Sequence, residues 1–244
     1  MYQFFVESDQ VAEDFIQIIG SDVNHIRNVL RMKPGEKVRI SDKDGNSFFC
    51  HIEKIEESEV IAAIDERDEQ GTELSNQITL FQGLPKSDKM ELIIQKAVEL
   101  GAFKIVPVEM KNCVVKLDAK KAQSKCGRWQ AIAESAAKQS KRTVIPEICL
   151  PVAWKEAIKQ AEELDVVLVP YENERGMEAT REAIRAIKPG QSVGIMIGPE
   201  GGFADSEIEN LPEKMKRISL GRRILRTETA GLAALSMLIY ELDE

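Results

Sequence analysis

The chain of 244 residues is predicted to be an α/β protein: a small β-rich part, then a larger part with a mostly parallel sheet. Three observations lead there. From about residue 72, apolar runs of strand length alternate with amphipathic helical patterns, the order of a parallel sheet covered on both faces. Before that, short strand patterns surround an Asp44-Gly45 turn, a strong hairpin signal. Near the end of the chain, two strand patterns run into glycine turns, "SVGIMIGPEGGF" (192–203) and "ISLGRRILRTETA" (218–230).

The elements follow in order. "YQFFVE" (2–7) is a strand. "SDVNHIRNVLRM" (21–32) is a short helix with Ser21 or Asp22 as its cap. "EKVRISDKDGNSFFCHI" (36–52) gives two strands around the hairpin turn, and "EVIAAIDE" (59–66) another. The polar "RDEQGTELSNQ" (67–77) holds the expected boundary, with domains over 1–72 and 73–244. "NQITLFQGL" is a buried strand. In "SDKMELIIQKAVEL" (87–100), Met90, Ile93, Ile94, Ala97 and Val98 share one helical face, and Gly101 stands where a helix ends. Strand "FKIVPV" follows, then a long helix over about Asp118 to Lys141, then "EICLP". The rest alternates: helix "VAWKEAIKQAEEL", strand "DVVLVP", helix "GMEATREAIRAI", strand "SVGIMIG", a short helix near Asp205 to Leu211, strand "KRISLG", and a last helix from about Thr227.

Composition excludes several classes. Hydrophobic residues make 43 % and charged residues 30 %, as in globular proteins. No apolar run approaches the ~20 residues of a membrane span, and the first residues lack the basic and apolar regions of a signal peptide. Cys50, Cys113, Cys126 and Cys149 are widely spaced, which suits free thiols in a reducing cytoplasm. The net charge of −8 conceals a segregated distribution. Residues 1–71 hold 8 Lys+Arg against 16 Asp+Glu, and the remainder balances at 25 of each. Arg27, Arg31, Lys33, Lys37, Arg39 and Lys43 form one basic group, 111–142 a second, and Lys214 to Arg226 a third. Local patches of this kind, more than net charge, decide affinity for polyanions; the other reading of each is a solvated face.

The chemistry is narrowed by residue type. There is no Walker phosphate loop, no dinucleotide glycine fingerprint and no nucleophile elbow. His25 and His51 are the only histidines and both precede residue 72, so a histidine triad in the α/β part is impossible and no metal site is expected there. Ligands of open α/β sheets bind beyond the carboxyl ends of the strands. The three ends here are "VLVPYEN", "IGPEGGF" and "SLGRRILR". Glycines let such turns approach a ligand and offer it backbone N–H and C=O groups, suited to an adenine or a carboxylate; a tight turn alone is the bland alternative.

"GPEGGF" followed by "LGRRILRTETA" resembles the SPOUT methyltransferases. With "HIRNVLRMKPGE", "KSDKMELIIQKAVELG" and "RWQAIAESAAKQSKRTVIP", nearly the whole chain resembles the bacterial 16S ribosomal RNA (uracil-N3)-methyltransferases. The resemblance implies a PUA-like β-barrel before a C-terminal trefoil-knot domain that holds S-adenosylmethionine, and a cytoplasmic homodimer with the last helix at or near its interface. It implies a cofactor site in three segments. The first is Val169 and Pro170. The second is Ile197, Gly198, Pro199, Glu200, Gly201 and Gly202. The third is Leu220, Gly221, Ile224, Leu225 and Arg226, continued by Thr229 and Ala230. Arg226 is expected to orient the substrate, and Glu200 or Glu228 to act as base. Glu228 also suits the positive end of the last helix without any catalytic duty, and Thr227 is a candidate cap. Arg27, Arg31, Lys138, Lys141 and Arg142 are expected to grip 16S rRNA or the small ribosomal subunit. Two other readings stay open: an RNA-binding adaptor without catalysis, and a methyltransferase acting on a ribose 2′-hydroxyl.

Overall fold

A computed structural model describes residues 1–243. The chain forms two compact units, Met1–Glu73 with Ala137–Ile145, and Leu74–Ala136 with Pro146–Glu244. The first unit thus takes back a short stretch from the middle of the chain.

In the first unit β1 (Tyr2–Val6), β2 (Phe15–Ile19), β3 (Lys37–Asp42), β4 (Ser47–Ile55) and β5 (Glu59–Arg67) form one sheet. Its order is β1-β3-β4-β5-β2. β1 runs parallel to β3 and the other pairs are antiparallel. The β3–β4 hairpin closes as the Asp-Gly pair requires. Gly45 takes φ +85°, and the Asp42 carboxylate accepts the N–H groups of Asp44 and Asn46 at 2.9 and 2.8 Å. Alternate residues such as Ile16, Ile18, Val38, Ile40, Ile52 and Val60 meet in the core. The short helix α1 (Ser21–Asn24) widens into π-helical turns over His25–Leu30. Its N-cap is Gly20, so the expected Ser21 or Asp22 cap is corrected: both lie inside the first turn.

The second unit holds β6 (Ile78–Gly83), α2 (Lys89–Glu99), β7 (Ala102–Glu109) and most of α3 (Ala119–Ser140). Then come β8 (Glu147–Ile148), β9 (Val152–Ala153), α4 (Trp154–Glu162), β10 (Val166–Pro170) and α5 (Glu178–Arg185). β11 (Val193–Ile197), α6 (Asp205–Glu209), β12 (Met215–Ile218) and α7 (Thr227–Leu242) complete it. The sheet order is β12-β10-β11-β6-β7-β8, with β9 also on β7, and every pair is parallel. Strands β6 and β11 are buried at every position, as a sheet covered on both faces demands. The predicted apolar face of α2 is buried throughout, and Gly101 follows the helix with φ +77°.

The strand order positions the site. β12 lies at one edge beside β10. From there the chain crosses back, and α7 packs on β11, β6 and α2. Residues 219–226 therefore pass the carboxyl ends of β10 and β11. Among the described residues no helix is long and apolar enough to cross a membrane.

Candidate active site

The carboxyl ends of β10, β11 and β12 surround a cleft of about 450 Å³. Its walls are Pro170–Glu172 with Glu174 and Arg175, Ile197–Glu200 with Gly202 and Phe203, and Ser219–Gly221 with Arg223–Thr227 and Ala230. Lys89 at the start of α2 adds a cation. The three strand ends singled out in the sequence thus meet in one place.

Each wall is held by a specific contact. The Thr180 hydroxyl on α5 donates to Ser219 O at 2.9 Å and accepts from Ser219 N at 3.0 Å, fixing the exit of β12. Asn112 Nδ2 donates to Gly201 O at 3.1 Å and Gly202 O at 3.2 Å. Glu207 accepts the N–H groups of Lys111 and Ala204 at 2.9 and 2.8 Å, tying the same turn from below. The Thr227 hydroxyl donates to Gly198 O at 2.7 Å and accepts from Gln82 Nε2 at 2.9 Å. Thr227 is therefore the first residue of α7, clamped to the β11 turn, and the N-cap position belongs to Arg226. This corrects the expected Thr227 cap.

The glycines have distinct reasons. Gly202 and Gly221 take φ +69° and +109°, where a side chain is strained. Gly221 lines the cleft and has open space where a Cβ would stand. Gly201 does not line the cleft: a Cβ there would fall 3.0 Å from Asn112 Cβ, so close packing explains it. Val169 and Thr229 also stand off the wall, Val169 fully buried in β10. The other twelve residues expected to contact a cofactor line the cleft. Gly83 was not anticipated. A Cβ there would stand 2.7 Å from Pro199 N, on the opposite side of the β11 turn.

The charged groups form a chain at the cleft. Glu200 Oε1 accepts from Lys86 N at 3.0 Å and from Lys89 Nζ at 3.1 Å. Partial burial opposes its ionisation, but these donors and its own backbone N–H outweigh burial and hold the carboxyl below the usual range. Lys89 Nζ also lies 3.1 Å from Glu228 Oε2, at an angle that makes an ion pair without a hydrogen bond. Glu228 Oε1 is 4.0 Å from Arg226 Nη1, and the Arg226 side chain is 82 % exposed. Glu228 itself lies behind the cleft wall, while Glu200 and Arg226 line it. Sequence reasoning missed Lys89; Tyr171, Glu172 and Phe203 fall in the expected turns but were not singled out. "KSDK" offered a signal for Lys89 only as part of a family motif.

The five expected RNA contacts divide in the first unit. Arg27 and Arg31 are exposed, and Arg27 Nη1 donates to Glu57 O at 3.0 Å. Lys138 pairs with Asp22 at 3.3 Å, and Lys141 Nζ donates to Met1 O at 2.8 Å. Arg142 corrects the expectation. It is 4 % exposed, ion-paired with Glu73, and built into the unit. A buried, paired guanidinium has no face left for a phosphate.

Comparison with known proteins agrees with this architecture. Residues 72–239 match the family model of an RNA methyltransferase domain, and residues 18–65 that of an RNA methyltransferase PUA domain. The ribosomal RNA small subunit methyltransferase E of Bacillus subtilis (strain 168) is 36 % identical, across 100 % of this chain and 98 % of that one. Its counterpart in Mesomycoplasma hyopneumoniae (strain 232) is 34 % identical, over 99 % and 100 %. A crystal structure of the Neisseria gonorrhoeae protein of that name, bound to S-adenosyl methionine, superposes with TM-score 0.83 at 30 % identity, covering 98 % of this chain and 97 % of that one. On matches that run the length of both chains and both units, this protein belongs to the ribosomal RNA small subunit methyltransferase E family of RNA methyltransferases.

Proposed function

We propose that this chain methylates N3 of a specific uridine in 16S ribosomal RNA with S-adenosylmethionine as the methyl donor. The observation that carries the reading is the cleft at three strand ends, with ion-paired carboxylates and an exposed arginine at its rim. Its volume lies in the range of small-molecule sites. Among the described residues, the backbone N–H and C=O groups of Ile224 and Leu225 make no hydrogen bond within the chain, and both residues line the cleft. Such groups suit an adenine edge, and Ile197, Leu220, Ile224 and Leu225 give it apolar walls.

Bound there, the cofactor supplies a methyl group on a sulfonium sulfur, open to in-line displacement. The protein's share is alignment and the removal of the N3 proton. Arg226, exposed beside the cleft, orients the uridine or its phosphate. Glu200, on the cleft wall, and Glu228, behind it, are the two candidate proton acceptors. Arg27, Arg31, Lys138 and Lys141 hold RNA phosphates. The protein works in the cytoplasm as a homodimer through α7, where Met237 and Ile239 are half-buried and Tyr240 is 88 % exposed.

The deciding experiment is mass spectrometry of 16S rRNA, free and in small subunits, after incubation with the enzyme and isotope-labelled cofactor. The reading requires label on N3 of one uridine. Label on a ribose oxygen, or RNA binding without affinity for the cofactor, would replace it. Arg226→Ala should slow single-turnover transfer at saturating RNA; full rescue by more RNA would make Arg226 a binding residue only.

A further inference from the structure

Lys89 is a charged group at the cleft, between the two carboxylates, for which the reading above finds no task. It stands at the start of α2, and its side chain is 30 % exposed. An ammonium has three N–H donors. One points to Glu200 Oε1 at 3.1 Å, and Glu228 Oε2 takes a second direction at 3.1 Å. Among the described residues no other acceptor is within reach, so one N–H is unspent on a side chain that lines the cleft.

We propose that Lys89 is a catalytic residue: its remaining N–H donates to one of the two carbonyl oxygens flanking N3 of the target uracil and stabilises the N3 anion. The proposal rests on the uridine-N3 reading above and specifies how that site acts.

The surrounding charges argue for it. The ammonium paired with Glu200 weakens that carboxylate as a base. Deprotonation must then be favoured from the other side, by lowering the cost of the uracil anion. Two carboxylates, from the β11 turn and from α7, also keep the lysine charged. Its pairing with Glu200, then with Glu228, raises its pKa against the effect of burial. Arg226 is the next charge outward, on the far side of Glu228. The bonds balance simply. The N3 proton passes to one of the two carboxylates or to water. The N3 electron pair forms the bond to the methyl carbon, and the carbon–sulfur bond breaks with its pair on sulfur, leaving a neutral thioether.

The test is single-turnover methylation of small subunits across pH, at saturating RNA and cofactor, with Lys89→Met and Lys89→Arg. At pH 7, Lys89→Met should lose about 10²-fold in rate, the scale of one lost oxyanion donor. The midpoint of the rising pH–rate limb should move up by about 1–3 units, the effect of one neighbouring charge. Rates of wild type and Lys89→Met should converge at high pH, with cofactor affinity by calorimetry unchanged. Lys89→Arg keeps the charge, so its midpoint should stay near wild type even where its rate falls. An unshifted midpoint in Lys89→Met overturns the proposal. So does a loss of cofactor affinity matching the loss of rate, or full rescue by more RNA. If Lys89→Met does not fold, a raised midpoint in Lys89→Arg overturns it and an unchanged midpoint supports it. Failure of the underlying reading would show earlier, as wild-type enzyme that leaves no label on a uridine N3.

Discussion

Arg142 and Lys89 show how a residue's meaning depends on partners that are distant in sequence. Arg142 belongs to a basic run, yet the partly buried Glu73 reaches it and the buried guanidinium becomes part of the first unit's frame. Breaking a buried pair from one side leaves an uncompensated charge, so Arg142→Ala should cost about 3–5 kcal/mol. Denaturant titration followed by a probe in the first unit measures this; a loss below ~1 kcal/mol would put Arg142 back among the RNA-facing groups. At the cleft, Glu200 carries a pH signature. Its folded pKa is lowered, so its contribution is complete above the unfolded carboxylate value of about 4.3 and is lost as pH falls through the lower folded value. Wild type should therefore lose more stability than Glu200→Gln between pH 6 and 3, by paired denaturation curves. Equal losses would mean that the Lys86 and Lys89 contacts contribute nothing in solution. Neither Lys89 nor Gly83 could be read from the sequence. Each is defined by what it meets across the fold: Glu200 and Glu228 for the lysine, the Pro199 backbone for the glycine.

Elements were more legible than residues where one periodicity governed them. The α2 face, the Asp-Gly hairpin and the glycine-ended strands follow from local rules of burial and φ. The π-helical widening at His25–Leu30 and the two-residue strands β8 and β9 do not, because only neighbouring chain stabilises them. That the three strand ends stand out together was legible, and they line one cleft; that Gly201 serves Asn112 was not. The start of α7 depends on a hydroxyl with two buried partners. Thr227→Val leaves Gly198 O and Gln82 Nε2 without it and should cost roughly 2–3 kcal/mol, with weaker cofactor binding by calorimetry. A neutral effect would show that the clamp is not needed to hold the cleft wall. Further along α7, Met237 and Tyr240 leave apolar surface uncovered. Replacing both with Asp should shift the proposed dimer toward monomer in sedimentation at micromolar concentration. A wild-type monomer would refute the dimer outright.

For the whole molecule, the proposed function puts two tasks on two units, phosphate grip on the first and the cleft on the second. Phosphate contacts release counterions, so each adds to the salt dependence of RNA binding. Arg27→Ala with Arg31→Ala should reduce the slope of log affinity against log salt by about 1.4, at ~0.7 per contact on single-stranded RNA. Cofactor affinity should not change. An unaltered slope would make these arginines a solvated face.

The path of the chain back from β12 has a consequence for synthesis. Residues 219–230 close the cleft, yet they are made after all of its other walls. Domains made at ribosomal speed begin folding from the first residues onward, so the first unit's sheet can be complete while the second still lacks a wall. A nascent chain could then meet RNA phosphates before it can hold any methyl donor. The ability to modify RNA would arrive at one late moment, when Thr227 reaches Gly198.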